Sequence, residues 1–284
     1  MPARYIGAHV PTGKGLGHAL REGKQIGCTA VQVFTSSPRM WKSSAPSQEK
    51  IDDIAAAIEE TGLRQLASHD TYLVNLCNPD ETIAQKSFDT LRDEMDRCGK
   101  LGIPLVVSHM GALMGQPLEQ GLRKVADRAK EILAETPSSV RLLMETTAGQ
   151  GSAINSKFEE IATILELAGG DARLAVCLDT CHVFVAGYEL RTKEGYAETF
   201  RAFDKTIGLD RLKLLHINDS KKDLGSRVDR HENIGKGCLG LEPFRMLVND
   251  PRFENVPMVI ETPTENEGHE TDLKALWGLA GKSP

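Results

Sequence analysis

His69, His109, Glu145, Asp179, His216 and Glu261 share one position in the sequence: each closes a short β-rich run, and the six runs are successive. His182 follows Asp179 by three residues, and Asp229-Arg230-His231 sets a carboxylate and an imidazole two apart after the His216 run. In extended chain a D-x-H turns both side chains toward one point. A lone imidazole or carboxylate at a strand end usually serves a loop hydrogen bond. Six in succession are not explained that way, because such groups packed together repel or are costly to desolvate unless something neutralises them. Divalent metal ions do. Imidazole and carboxylate without thiolate suit zinc, manganese or iron, and zinc suits hydrolysis in particular.

Those side chains need a scaffold that brings strand ends together. Candidate strands are YIGAHV (5–10), AVQVF (30–34), RQLASH (64–69), PLVVSH (104–109), RLLME (141–145), LAVCLD (174–179), LKLLHI (212–217) and VPMVIE (256–261). Amphipathic stretches separate them. Asn78-Pro79-Asp80-Glu81 predicts a cap and a first-turn proline for a helix running to about Gly99, Ser156–Glu159 predicts a capping box, and Gly169-Gly170 predicts the stop of the helix it opens. Eight β-runs alternating with helices predict an α/β fold with a parallel sheet closed as a (β/α)8 TIM barrel, one domain over residues 1–284. Such barrels take ~250 residues and build active sites on the rim where the strands end. Strand alternation that turns Asp179 inward also turns Cys177 inward, one layer below. His9 ends the first run near the same rim, His18 and His269 read as surface residues, and Cys181 as a buried filler. Gly13, Gly15 and Gly17 lack phosphate-loop spacing and read as loop flexibility.

Composition narrows the class. Hydrophobic residues make up 40% and charged residues 26% of the chain, an ordinary globular balance. No apolar run approaches the ~20 residues of a membrane span, and MPARYIGAHV lacks the apolar core of a leader, so a cytoplasmic location with no membrane partner is expected. Six cysteines without a CxxC pair fit reduced thiols. A net charge of −6 argues mildly against a nucleic-acid partner, but three divalent ions would cancel it.

The segments FTSSPRMW (34–41), ASHDTYLVNL (67–76), VSHMG (107–111), METTAGQG (144–151), CLDTCHVFVAGYELRT (177–192), LLHINDSK (214–221), DRHENIGKG (229–237) and VIETP (259–263) run through nearly the whole chain. In them the sequence resembles the endonuclease IV family of apurinic/apyrimidinic-site DNA repair enzymes. The resemblance implies three divalent metal ions of zinc type, with Mn2+ or Fe2+ as alternatives at one or more sites. Glu145 would bridge two of them. His69 and His109 would complete the first site, Asp179, His216 and Glu261 the second, and His182, Asp229 and His231 the third. A water activated between metals would attack the phosphodiester, since bound zinc lowers water's pKa to ~7, with Glu145 and Glu261 as catalytic residues. The implied substrate is double-stranded DNA, cut 5′ to an abasic site to leave a 3′-hydroxyl and a 5′-deoxyribose phosphate; removal of 3′-blocking groups and a monomeric state are implied as well. Arg39, Trp41, Tyr72 and Leu73 would line or enter the DNA, and Lys221, Arg230 and Lys236 would contact phosphates. The rival reading is a single-metal sugar isomerase or epimerase, for which Glu145, Asp179, His216 and Glu261 suffice and the other five candidate ligands are surplus.

Overall fold

The computed structural model describes residues 4–42, 44–264 and 268–281; Met1, Pro2 and Ala3 of the opening segment lie outside them. Eight strands are β1 (Ile6–His9), β2 (Ala30–Val33), β3 (Gln65–His69), β4 (Leu105–Ser108), β5 (Arg141–Glu145), β6 (Leu174–Asp179), β7 (Leu212–His216) and, after a two-stranded hairpin of β8 (Asp219–Ser220) and β9 (His231–Glu232), β10 (Met258–Ile260). They close into a parallel barrel in the order β1-β10-β7-β6-β5-β4-β3-β2. The (β/α)8 expectation is met. Several candidate strands stop one residue early, the fourth and eighth among them, so His109 and Glu261 stand just past β4 and β10.

Around the barrel lie α1 (Leu16–Gln25), α2 (Gln48–Thr61), α3 (Glu81–Leu101), α4 (Leu118–Glu135), α5 (Phe158–Leu167), α6 (Thr180–Ala186), α7 (Lys193–Thr206), α8 (Glu242–Asn249) and α9 (Gly268–Leu279). α4 shows why they pack: Leu122, Val125, Ala126, Ala129, Ile132 and Leu133 recur at helical spacing, and all are buried. Each large apolar side chain so buried contributes roughly 1.5–3 kcal/mol. Among the described residues no helix is long and apolar enough to cross a membrane.

Several local signals act at other positions than their sequence context suggests. The cap of α3 is Asp80, whose carboxylate accepts from the amides of Thr82 (2.8 Å) and Ile83 (3.3 Å), so Pro79 precedes the helix and is not in its first turn. The helix passes Gly99 and ends against Gly102 at φ 71°. The α5 box sits one residue later: Glu160 accepts from the amides of Ser156 and Lys157. Gly169 and Gly170 follow that helix at φ 83° and 72°. Gly17 is not loop but helix, packed where a Cβ would strike Asp53.

Candidate metal centre

Period-two alternation builds the centre. Ala67, Val107, Leu143, Cys177, Leu214 and Val259 form an apolar layer inside the barrel. Two residues on from them stand, in turn, His69, His109, Glu145, Asp179, His216 and Glu261. The six rise as a polar layer directly above the apolar one. The same register carries Gln32 two past Ala30 on β2, and His9 closes β1 beside it.

Glu145 is the hub. Its Oε2 lies 3.0 Å from His69 Nε2 and 3.1 Å from His109 Nε2, while Oε1 lies 2.9 Å from His216 Nδ1. His216 Nδ1 is also 3.2 Å from Glu261 Oε2. The remaining ligand types arrive by two local devices. Asp179 ends β6 and caps α6, accepting from the His182 amide at 2.8 Å, which fixes the His182 side chain one turn away. Asp229 and His231 come in on the β8–β9 hairpin, where Ser220 pairs with His231. Within each of three groups the ligand-type atoms lie within 4.8 Å of one another: His69, His109 and Glu145; Glu145, Asp179, His216 and Glu261; His182, Asp229 and His231. The members of each expected set are thus brought together. Cys181 groups similarly with Asp179 and His231, but burial pushes its thiol up to about 12 and keeps it a poor ligand.

The imidazoles are held so that one nitrogen faces inward. His69 Nδ1 is 3.0 Å from the Asp70 carbonyl, His182 Nδ1 2.8 Å from that of Thr146, and His231 Nδ1 3.3 Å from that of Glu261. Each such contact places the ring proton on Nδ1 and leaves an Nε2 lone pair, as outer partners of metal-bound histidines do. Nε2 of His182 and of His231 approach Asp229 at 3.1 and 3.4 Å, yet neither is aligned as a hydrogen bond. Buried polar atoms in this state are rare and call for a partner. A cation satisfies all of them at once, so the side chains fit divalent metal.

Charge distribution agrees. Burial alone would raise Glu145, but the imidazoles of His216 and His109 hold it well below the usual carboxylate range. Glu261 is lowered too, by His216 and His9 against burial, and Asp229 is brought to about 2 by His182 against burial. Conversely, burial would lower His69 and His182, and neighbouring carboxylates reverse this and raise both well above the ordinary imidazole value. Carboxylates here are anions waiting for positive charge, which protons or metals can supply.

The centre floors an open cleft of about 490 Å³. His269 lines it, with Nε2 3.1 Å from the Thr262 carbonyl, and so is not the surface residue expected; His18, on α1, is. On the rim, Arg39 is exposed, Tyr72 is 68% exposed, and Trp41 and Leu73 are half-buried. The Tyr72 amide and Thr71 hydroxyl both donate to the Pro38 carbonyl, tying the two rim loops together. Sequence reasoning misses Gln32, Thr146 and Asn218, all buried beside the ligand groups. The Thr146 hydroxyl accepts from the Asp179 amide at 2.9 Å, and Asn218 bridges Asp179 Oδ2 (2.6 Å) and the Glu261 amide (2.7 Å). The available signal for Asn218 is its place two residues after His216.

Comparison with known proteins fits this geometry. Residues 20–278 match the family described as Xylose isomerase-like TIM barrel. The probable endonuclease 4 of Chloroflexus aurantiacus is 45% identical over 259 residues, 91% of each chain, and that of Geobacter sulfurreducens is 43% identical over 273 residues, 96% of this chain and 92% of the relative. The crystal structure of endonuclease IV from Thermus thermophilus superposes with a TM-score of 0.87 at 33% identity, over 98% of this chain and 100% of that one. Similarity of that extent, over nine-tenths or more of each chain, places the protein: the chain belongs to the endonuclease IV family.

Proposed function

We propose that the protein is an abasic-site DNA repair endonuclease that hydrolyses the phosphodiester 5′ to the lesion in double-stranded DNA, leaving a 3′-hydroxyl and a 5′-deoxyribose phosphate, and that also trims blocked 3′ ends. As a member of its family it is a nuclease, a hydrolase of phosphodiester bonds. The carrying observation is the set of three ligand groups, two of them sharing Glu145, at the floor of an open cleft. His69, His109 and Glu145 would hold one divalent ion, Glu145, Asp179, His216 and Glu261 a second, and His182, Asp229 and His231 a third, most simply zinc. When bound, such ions supply charge neutralisation for phosphoryl oxygens and activation of water at neutral pH.

The chain's own residues do the rest. Glu145, fully buried, holds both imidazole-bearing halves of the centre in register. Glu261, on the cleft wall with its amide fixed by Asn218, orients the attacking water by accepting its hydrogen bond. Arg39, Tyr72 and the half-buried Trp41 and Leu73 engage the duplex at the lesion, where bulky side chains beside an arginine can open a base stack. Arg230, with Lys221 and Lys236, contacts phosphates near the third group. The protein acts as a cytoplasmic monomer.

A supercoiled plasmid carrying abasic sites tests the reading. Metal-loaded protein should nick it, and chelation or Glu261→Gln should abolish nicking. An intact plasmid after incubation with fully metallated protein would overturn the proposal, and turnover of a ketose in its place would favour sugar isomerisation.

A further inference from the structure

One member of the polar layer has a side chain unsuited to ligation. Gln32 is fully buried, and its carboxamide stands between two residues of the second group: Oε1 lies 2.8 Å from His216 Nε2, and Nε2 lies 2.6 Å from Glu261 Oε1. The same amide nitrogen is 3.0 Å from His9 Nδ1. The contacts to His216 and Glu261 leave one arrangement of protons. Turned over, the amide would press its oxygen against the Glu261 carboxylate, two acceptors with no hydrogen between them. The NH2 therefore faces Glu261, and Oε1 receives its proton from His216 Nε2. That puts the His216 lone pair on Nδ1, which points at Glu145 and Glu261 at 2.9 and 3.2 Å. His9 Nδ1 also lies 3.2 Å from Glu261 Oε1, so the His9 ring and the Gln32 amide converge on one carboxylate oxygen.

We infer that Gln32 is a positioning residue that sets the tautomer of His216, aiming its Nδ1 lone pair into the second ligand group. The inference rests on the proposed ligand roles of His216 and Glu261.

Nitrogen-resolved NMR of the zinc-loaded protein reads the tautomer directly. His216 should be protonated at Nε2, and Gln32→Met, close in volume but unable to hydrogen-bond, should abolish that preference. Competition of Zn2+ against a chelator should show one of the bound ions weakened on the order of 10–100-fold in Gln32→Met, as loss of an outer partner does, with the others unchanged. Gln32→Glu, which keeps the acceptor for His216 but sets a second carboxylate against Glu261, should retain the His216 tautomer. Nδ1-protonated His216 in the wild-type protein, or zinc held equally tightly by Gln32→Met, would overturn the inference while leaving the metal centre standing. If Gln32→Met does not fold, the wild-type tautomer and Gln32→Glu decide. A folded wild-type protein that binds no zinc would overturn both readings.

Discussion

The Thr35 hydroxyl lies within hydrogen-bond reach of both carboxylate oxygens of Glu94, at 2.6 and 2.7 Å, and this contact ties the rim loop after β2 to the body of α3. Glu94 also accepts from Ser68 (2.6 Å) and Arg97 Nε (3.2 Å), and Arg97 in turn donates to the Ser44 carbonyl. Thr90, a turn earlier on α3, donates to the Trp41 carbonyl. The loop that carries Arg39 is therefore clamped at both ends to one helix. Glu94→Leu would leave Arg97 buried without its counter-charge, a change that costs about 3–5 kcal/mol. Urea unfolding should show that loss, and Thr35→Val a loss of about 1 kcal/mol. Equal stability of Glu94→Leu and the parent would show that the clamp contributes nothing.

Metal content should track the groups. Well-folded protein should carry three equivalents, and His231→Ala about one fewer, because that side chain belongs only to groups on the hairpin side of the centre. Elemental analysis returning a single equivalent for the parent would remove the three-site reading.

Proton binding should oppose metal binding. In the metal-free protein, carboxylates raise His69 and His182 well above the ordinary imidazole value despite burial. A raised folded value contributes stability below the unfolded value of ~6.5 and loses it as pH rises through the folded one. The depressed Glu145 and Asp229 contribute above ~4 and lose their contribution as pH falls. Chelated protein should thus have its highest Tm in mildly acidic solution and lose stability toward alkaline pH. Zinc uptake at about pH 7.5 should release protons. Calorimetry in two buffers of different ionisation enthalpy measures that release, and identical heats in both would contradict it.

Tyr72, exposed and touching the Phe34 ring at 5.7 Å between centroids, offers a stacking face without contributing to any ligand group. Tyr72→Ala should weaken binding to abasic duplex by about 1–3 kcal/mol. Metal content should stay unchanged. A fluorescence titration giving parental affinity would argue against its place at the lesion.

Gly7→Ala should not fold. A Cβ there would lie 1.6 Å from the Ala30 carbonyl oxygen, a backbone atom held in the β1–β2 ladder. Soluble expression with native far-UV dichroism would contradict that reading of the seam.

Much of this is legible in the sequence because the barrel obeys period-two alternation. Ala67/His69 or Leu214/His216 announces both a strand and the direction of its last side chain. Gln32 obeys the same rule after Ala30 and escapes notice, since an amide is no ligand and its role depends on His216 and Glu261, far away in sequence. The β8–β9 hairpin escapes for another reason. Its strands are two residues each, too short for any periodic signal, and Asp219 organises the turn by accepting from the Ser220, Gly237 and Leu239 amides, contacts set by the fold. His269 is misread because its position on the cleft follows from how α9 starts beside the end of β10, with His269 against the Thr262 carbonyl, and not from its neighbours in sequence.

Asp179 belongs to β6 and caps α6, with one carboxylate oxygen on the His182 amide and the other on Asn218. Under the proposed metal assignment, the second and third groups would consequently share a rigid lever. A larger cation on the Asp179 side would then press on the helix that presents His182, and ionic-radius preference at one group would be inherited by the other. Swapping metals one at a time would be disfavoured, and selectivity would be a joint property.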